Sequence, residues 1–214
     1  MDVNSAVGGL EEDARPVPLV VFLPGASGDP NFWRPVGERL AASWEKVYLG
    51  WPGLGDQAPD PAVRGFDDLV DRVEEALTRP AGLVAQSMGG VVAIRAALRH
   101  PERVRRLVLT ATSGGVDVAS LGGAEWRLNY RRLFPRAAEW VLRERPDHTV
   151  QLGGIAAPTL LLWGDRDDVS PLTVGSHLES LLPNARLCVV VGGEHAFAHD
   201  RPDEVASLIA AHLA

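Results

Sequence analysis

Six short apolar runs, separated by longer stretches with helical periodicity, constrain the fold of this chain most strongly. Most residues in each run are apolar in succession rather than in alternation, which indicates strands buried on both faces, as in a parallel sheet. The regular succession of strands and helices predicts an α/β fold, with a mostly parallel sheet of about six strands flanked by helices. The runs cover residues 19–23, 46–49, 82–85, 106–111, 159–163 and 187–191.

The stretches between the runs carry apolar residues at the spacing of helices. One stripe follows the i, i+3, i+4, i+7 pattern and predicts an amphipathic helix; it consists of Phe66, Leu69, Val70, Val73 and Leu77. Residues 91–98 are apolar almost all round, which predicts a buried helix. Ser170 followed by Pro171 is typical of an N-cap with Pro at the first helical position, and a last helix is expected to open near Pro202.

The region between residues 115 and 158 contains no predicted strand and is interpreted as an insertion. Trp126, Tyr130, Leu133 and Phe134 share one predicted helical face. Pro135 interrupts that helix, and a second short helix is predicted at 137–143. Two small helices are therefore expected here rather than a full lid domain.

Length and charge limit the organisation of the chain and its partners. The 214 residues suit one domain. We expect a flexible leader at 1–16 and a single domain at 17–214 with the insertion at about 116–157. The net charge of −7 disfavours nucleic acid and anionic lipid as partners. No apolar run approaches the ~20 residues of a membrane span, and 1–16 lack a signal-peptide core, so a cytoplasmic protein is expected.

The counts of reactive side chains exclude several chemistries. A single cysteine, Cys188, excludes an internal disulfide and a zinc site with several cysteines. The histidines show no convincing metal-ligand spacing, so no metal site is predicted. A Schiff-base mechanism would depend on Lys46, which is the sole lysine.

The most informative motif is the segment Ala85-Gln86-Ser87-Met88-Gly89, which lies between a predicted strand and a predicted helix. This context is typical of a nucleophile elbow, a sharp turn that lifts a serine hydroxyl above the sheet. The turn needs small residues two positions before and after the serine, and Ala85 and Gly89 satisfy this need. The alternative is an ordinary strand–turn–helix connection with a capping serine.

A serine hydroxyl needs a base, and the base needs an orienting acid. Candidates follow two other predicted strands: Asp165, Asp167 and Asp168 after 159–163, and Glu194 with His195 after 187–191. Because the carboxyl ends of parallel strands meet at one edge of a sheet, these groups are expected near Ser87. Asp117 is a further, less favoured acid.

Three ordered motifs resemble those of the α/β-hydrolase superfamily, in its esterase and C–C hydrolase-like group. They are the elbow at Ser87, a Gly-x-x-Asp-x-x-x-Pro stretch from Gly164 to Pro171, and His195 followed by Asp200 and Pro202. The likeness covers about residues 17–212 except the insertion. Members of the superfamily often begin with an antiparallel strand pair, and here we expect none before Leu19.

The resemblance implies roles for individual residues. It implies Ser87 as nucleophile, His195 as base and Asp167 as the orienting acid, since Asp167 alone fits the spacing to Pro171. The backbone N–H groups of Ala26 and Met88 would form the oxyanion hole. Two departures are Pro24, where many relatives have His, and Ala85, where Gly is usual. Substrate-pocket residues are expected to be Trp126, Tyr130, Phe134 and Phe197. The alternative is that the aromatic face of the insertion only packs the insertion onto the sheet.

The resemblance further implies a serine hydrolase, most similar to carboxylesterases, that acts on a small-molecule ester through an acyl-enzyme and needs no cofactor. A C–C hydrolase or a lyase could use the same three residues. A non-enzymatic ligand-binding or signalling protein with the same fold is the third interpretation.

Overall fold

A single six-stranded sheet, all of it parallel, forms the centre of the molecule in the computed structural model, which describes residues 18–214. The strand order is β2-β1-β3-β4-β5-β6. The predicted sheet is therefore confirmed. The predictions of a flexible leader and of a missing strand pair fall on residues outside the described ones. The strands are β1 (Leu19–Leu23), β2 (Glu45–Tyr48), β3 (Ala81–Gln86), β4 (Val104–Thr110), β5 (Thr159–Gly164) and β6 (Ala185–Val190).

Apolar layers cover both faces of the sheet, which explains why the strands read as continuous apolar runs. In β1, Leu19, Val21 and Leu23 pack into one layer, while Val20 and Phe22 pack into the other. Because successive side chains of a strand point to opposite faces, a strand with two covered faces must be apolar throughout.

Eight α-helices lie within residues 18–214. The first layer holds α2, α3, α6 and the insertion, and the second holds α1, α7 and α8. The predicted stripe of α2 is buried from Phe66 to Leu77. The helices are α1 (Arg34–Gly37), α2 (Phe66–Ala76), α3 (Met88–Arg99), α4 (Arg127–Leu133), α5 (Trp140–Arg143), α6 (Leu172–Leu181), α7 (Phe197–Asp200) and α8 (Pro202–Leu213). None of the helices between residues 18 and 214 is long and apolar enough to cross a membrane.

The predicted start of α6 is wrong by one residue. Pro171 is the N-cap and the helix begins at Leu172. Ser170 does not cap the helix, because its hydroxyl donates to the Thr112 carbonyl at 3.1 Å and its N–H donates to Asp167 Oδ1 at 2.9 Å. The residue thus belongs to the loop that holds Asp167.

The insertion between β4 and β5 consists of the two short helices α4 and α5 with single 3₁₀ turns at Ala119–Leu121 and Leu152–Gly154. Tyr130 is buried, and its ring lies 5.5 Å from that of Trp126 and 5.0 Å from that of Phe134. Leu133, expected on the same face, is exposed. Because α4 ends at Leu133 and the backbone leaves the helical conformation at Phe134, the Phe134 side chain packs inward and that of Leu133 does not.

Candidate active site

Ser87 occupies the turn between β3 and α3 in a conformation that is rare for a residue with a side chain. Its φ is 52° and its ψ is −123°. Such backbone strain is typical of a nucleophile elbow. The turn is tightly packed, because a Cβ on Gly89 would lie 2.4 Å from the Pro24 carbonyl oxygen. Ala85, which replaces the usual glycine, is completely buried.

The loop after β6 brings His195 to this turn. The distance from His195 Nε2 to Ser87 Oγ is 3.0 Å, although 108 residues separate the two. Gln86 fixes the loop from the elbow side, since its side-chain amide donates to the His195 carbonyl at 3.3 Å. The imidazole remains partly exposed. The two groups are therefore within hydrogen-bonding reach at the carboxyl edge of the sheet.

Asp167, in the loop after β5, lies on the far side of the imidazole. Its Oδ2 is 2.9 Å from His195 Nδ1, and its side chain is completely buried. Its Oδ1 accepts the N–H groups of Val169 and Ser170, both at 2.9 Å. The carboxylate is thus held in place by the backbone of its own loop.

The rival acids lie elsewhere. Asp165 is exposed, and its carboxylate accepts the Gly192 N–H. Asp168 and Glu194 are exposed as well. Asp117 lies in the insertion, where its side chain accepts the Ala119 N–H at 3.1 Å. Asp167 is therefore the carboxylate of the described residues that contacts the His195 ring.

The loop after β1 packs directly on the elbow. Gly25 and Gly28 close a four-residue turn, with the Gly28 N–H donating to the Gly25 carbonyl at 3.0 Å. A Cβ on Gly25 would lie 3.1 Å from Ser87 Cβ. Within residues 18–214, neither the Ala26 N–H nor the Met88 N–H donates to a protein acceptor. Both N–H groups therefore lack a protein acceptor in the described part of the chain.

A cavity of about 560 Å³ opens beside Ser87 and His195. Its wall includes Trp126 and Arg127 from the insertion, together with Met88, Ala111 and Val169. This volume lies within the range of ligand-binding pockets. Of the four residues expected in a substrate pocket, Trp126 contributes to the wall.

The other three pocket candidates occupy different places. Tyr130 is buried between two loops, and Phe134 packs against its ring. Phe197 is buried on the opposite face of the sheet with the apolar residues of α8. The short helix α7 turns the Phe197 side chain inward, so it is a core residue and does not line the cavity.

Several contacts of the site carry no local sequence signal. Thr112, which follows β4, donates its hydroxyl to the Ser87 carbonyl at 2.5 Å. Arg127 lines the cavity beside the Trp126 ring, and burial followed by the neighbouring Arg145 lowers its guanidinium pKa. Three further basic residues of the insertion are exposed: Arg131, Arg132 and Arg136.

The other histidines do not contribute to the cavity wall. His199 contacts the Phe32 carbonyl through Nδ1 at 3.0 Å. His100 pairs with Glu74 at the end of α3. Across residues 18–214, no cluster of three or more His, Cys, Asp or Glu side chains could hold a metal ion.

Comparison with known proteins places this geometry in a family. A sequence model of the alpha/beta hydrolase fold matches residues 18–155. A pimeloyl-[acyl-carrier protein] methyl ester esterase of Neisseria meningitidis serogroup B is 28% identical, over 84% of this chain and 86% of the relative. A Yersinia pestis protein of the same name is 25% identical, over 89% and 91%.

Solved structures agree with this assignment at the level of the fold. A thermophilic esterase from Thermogutta terrifontis superimposes with a TM-score of 0.70 at 21% identity, covering 90% of this chain and 88% of that one. A meta-cleavage product hydrolase from Pseudomonas fluorescens gives a TM-score of 0.72 at 22% identity, covering 91% and 90%. The chain therefore belongs to the α/β-hydrolase fold family.

Proposed function

We propose that this protein is a serine hydrolase that cleaves small carboxylic esters through an acyl-enzyme. The observation that carries the proposal is the contact chain from Ser87 Oγ to His195 Nε2 at 3.0 Å and from His195 Nδ1 to Asp167 Oδ2 at 2.9 Å. It is supported by curated relatives that are named as methyl ester esterases.

In the proposed first step, Ser87 Oγ attacks the ester carbonyl while His195 Nε2 accepts the hydroxyl proton. The Nδ1–H of the imidazolium donates to Asp167. Because two backbone N–H groups bind Oδ1 of that carboxylate, it stays aligned with the ring. The imidazolium then returns its proton to the leaving alcohol.

The negative charge that develops on the carbonyl oxygen is stabilised by backbone donors. The Ala26 and Met88 N–H groups act as the oxyanion hole in this proposal, since neither donates elsewhere within the described part of the chain. Met88 is also the first residue of α3, a helix of 12 residues whose positive end faces the developing charge.

A water molecule, activated by His195, then hydrolyses the acyl-enzyme. The reaction needs neither a cofactor nor a metal ion. We propose that a methyl ester is a suitable alcohol portion, because the named relatives act on one. The cytoplasm is the proposed location, as expected from the sequence.

The test compares the wild-type protein with Ser87→Ala on methyl and p-nitrophenyl esters of increasing acyl length. We expect wild-type turnover and a loss of about 10⁶-fold in kcat for the variant, the scale seen when a serine nucleophile is removed. A fluorophosphonate probe is expected to label the wild type covalently and not the variant.

Ser207→Ala, on α8 at the other face of the sheet, is the matched control and is expected to keep full activity and labelling. Ester turnover that survives Ser87→Ala would reject the mechanism. Turnover of a C–C substrate without acyl trapping would favour a C–C hydrolase or a lyase. Neither turnover nor labelling would favour a non-enzymatic binding protein.

A further inference from the structure

Tyr130 joins the insertion to the loop that carries Ala26. Its hydroxyl donates to the Ala26 carbonyl at 2.7 Å and accepts the Gly55 N–H at 2.9 Å. The side chain is buried, and burial raises the pKa of the phenol, so the hydroxyl keeps the proton that it donates. One side chain of the insertion thus holds two loops whose contacts lie 104 and 75 residues away in sequence.

The two loops also pack against each other through their backbones. A Cβ on Gly55 would lie 2.0 Å from the Ser27 carbonyl oxygen, and one on Gly28 would lie 2.8 Å from that of Trp51. The Trp51 N–H donates to the Gly28 carbonyl at 3.0 Å. No larger side chain fits between these loops, so the Tyr130 hydroxyl closes an already tight junction.

The Ala26 carbonyl belongs to the central peptide of the turn from Gly25 to Gly28. The central peptide of a β-turn can rotate between turn types while the closing hydrogen bond persists. Rotation of this peptide would bring the Ala26 carbonyl oxygen, with its partial negative charge, towards the side of the turn that carries the Ala26 N–H. The Tyr130 hydroxyl holds this carbonyl on the side of the turn that faces the insertion, where it also binds the Gly55 N–H.

We propose that Tyr130 is a positioning residue for the oxyanion hole. Its hydroxyl fixes the conformation of the turn at Ala26, and thereby the position of the Ala26 N–H relative to Ser87. This inference rests on the proposed function, since it assumes that Ala26 stabilises an oxyanion. Through this contact, the insertion supports the chemistry as well as forming the cavity wall.

The chain offers a matched control, because it contains two tyrosines. Tyr48 is partly buried and stacks on Phe22 at 4.9 Å between ring centroids. Within residues 18–214 its hydroxyl makes no hydrogen bond, in contrast to that of Tyr130. Tyr48→Phe therefore removes a hydroxyl without hydrogen bonds from a partly buried ring. Tyr130→Phe removes a hydroxyl with two hydrogen bonds from a buried ring.

The decisive measurement compares steady-state kinetics with the binding of a boronic acid, which forms a tetrahedral adduct on a serine nucleophile. Removing an oxyanion donor outright costs about 10²–10³-fold in kcat. Since Tyr130→Phe loosens such a donor without removing it, we expect kcat to fall roughly tenfold with little change in KM. Boronate affinity is expected to fall by the same factor, while the affinity for the carboxylic acid product stays constant. Tyr48→Phe is expected to change none of these quantities.

A purely structural role would give a different result: thermal stability would fall while kcat and boronate affinity stayed at the wild-type values. That outcome would overturn the inference. An absence of ester turnover and boronate binding in the wild type would instead reject the proposed function. The pH profile of kcat/KM is expected to stay unchanged, since His195 is not affected.

A second measurement avoids the substitution of Tyr130, in case Tyr130→Phe does not fold. Incorporating 3-fluorotyrosine into the Tyr48→Phe protein leaves a single fluorine label, at position 130. We expect its ¹⁹F resonance to shift when the boronate binds, because the oxyanion loop contacts the adduct. A resonance that does not move on saturation with boronate would contradict the proposal.

Discussion

The loops at the strand ends and the insertion between β4 and β5 form one cavity, but they are built differently. Asp167 is held by two backbone N–H groups of its own loop, and Ser87 lies between a buried strand and a helix of 12 residues. The insertion contains helices of only seven and four residues, and it exposes Leu128, Leu133 and Val150. The core of the fold therefore fixes Ser87 and Asp167, and the insertion shapes the space beside them.

The insertion depends on a small number of contacts for its position. Helices shorter than about 12 residues are not stable alone in water, so tertiary contacts must hold them. The backbone supplies three such contacts, from the Ala138 N–H to the Gly53 carbonyl at 2.7 Å, from the Ala124 N–H to the Asp168 carbonyl at 2.9 Å and from the His148 N–H to the Gly115 carbonyl at 2.8 Å. Tyr130 adds side-chain contacts. Substitutions in the insertion are thus expected to change specificity more readily than the fold.

The largest effect that tests this comparison is expected at the strand ends. Asp167→Asn should lower kcat by about 10⁴-fold, because the amide can donate to His195 Nδ1 and stabilise the wrong tautomer. Steady-state kinetics on one ester would measure it. Asp165→Asn and Asp168→Asn are the matched controls and should remain close to wild type. A large loss in either control, with near-normal Asp167→Asn, would move the acid to another residue.

The next prediction contrasts the stability of the two regions. Leu161, in β5, is completely buried, and Leu161→Ala is expected to reduce the free energy of unfolding by about 2–5 kcal/mol. Leu133→Ala removes an exposed side chain from the insertion. It is expected to change the free energy of unfolding by less than about 0.5 kcal/mol. Urea denaturation would measure both. Equal losses of unfolding free energy in the two variants would show that the sheet and the insertion are equally well packed.

A smaller effect is expected on substrate choice. Trp126 lines the cavity, so Trp126→Ala should reduce the preference for longer acyl chains. Each methylene that loses its apolar contact is worth about 0.8 kcal/mol, or roughly fourfold in kcat/KM. Leu128→Ala, on the exposed side of the helix that follows Trp126, should leave the chain-length profile unchanged. Lower stability of Trp126→Ala with an unaltered profile would make this ring a packing residue only.

The smallest effect concerns pH. Burial, followed by the neighbouring Arg95, lowers the pKa of His148 in the insertion. The unfolded chain takes up a proton at this histidine near pH 6.5 while the folded chain does not, so stability decreases as pH falls from about 6.5 towards the lowered pKa. His148→Gln should show a shallower loss than the wild type in thermal denaturation between pH 8 and 5. His177→Gln, at a histidine that is only partly buried, is the control, and identical slopes for all three proteins would contradict this account.

The sequence was sufficient for the sheet because its strands are buried on both faces and leave a simple apolar signature. Ser87, Asp167 and His195 could be identified as neighbours for a related reason: each follows a predicted strand, and parallel strands end at one edge. Their chemical roles stay a proposal until they are tested. Periodicity was also sufficient for the two small helices of the insertion.

Contacts between loops that are distant in the chain could not be predicted from the sequence. Tyr130 was expected in the pocket because it shares a helical face with Trp126, but a helical stripe does not identify the surface against which it packs. Phe197 follows His195 by two residues, and nothing in that spacing indicates that α7 turns the ring into the opposite layer. Ser170 resembles a cap, yet its hydroxyl binds a carbonyl 58 residues earlier in the chain.

The separation of 108 residues between Ser87 and His195 also bears on how the protein acquires activity. Closing so long a loop is entropically unfavourable, and parallel strands form only non-local contacts, so a sheet of this kind assembles slowly. β4, the insertion, β5 and β6 must all be in place before the imidazole reaches the hydroxyl. During refolding, or as the chain leaves the ribosome, the turn at Ser87 can form early, but His195 follows β6, which comes after β3, β4 and β5 in the chain. Recovered turnover would thus report completion of the whole sheet.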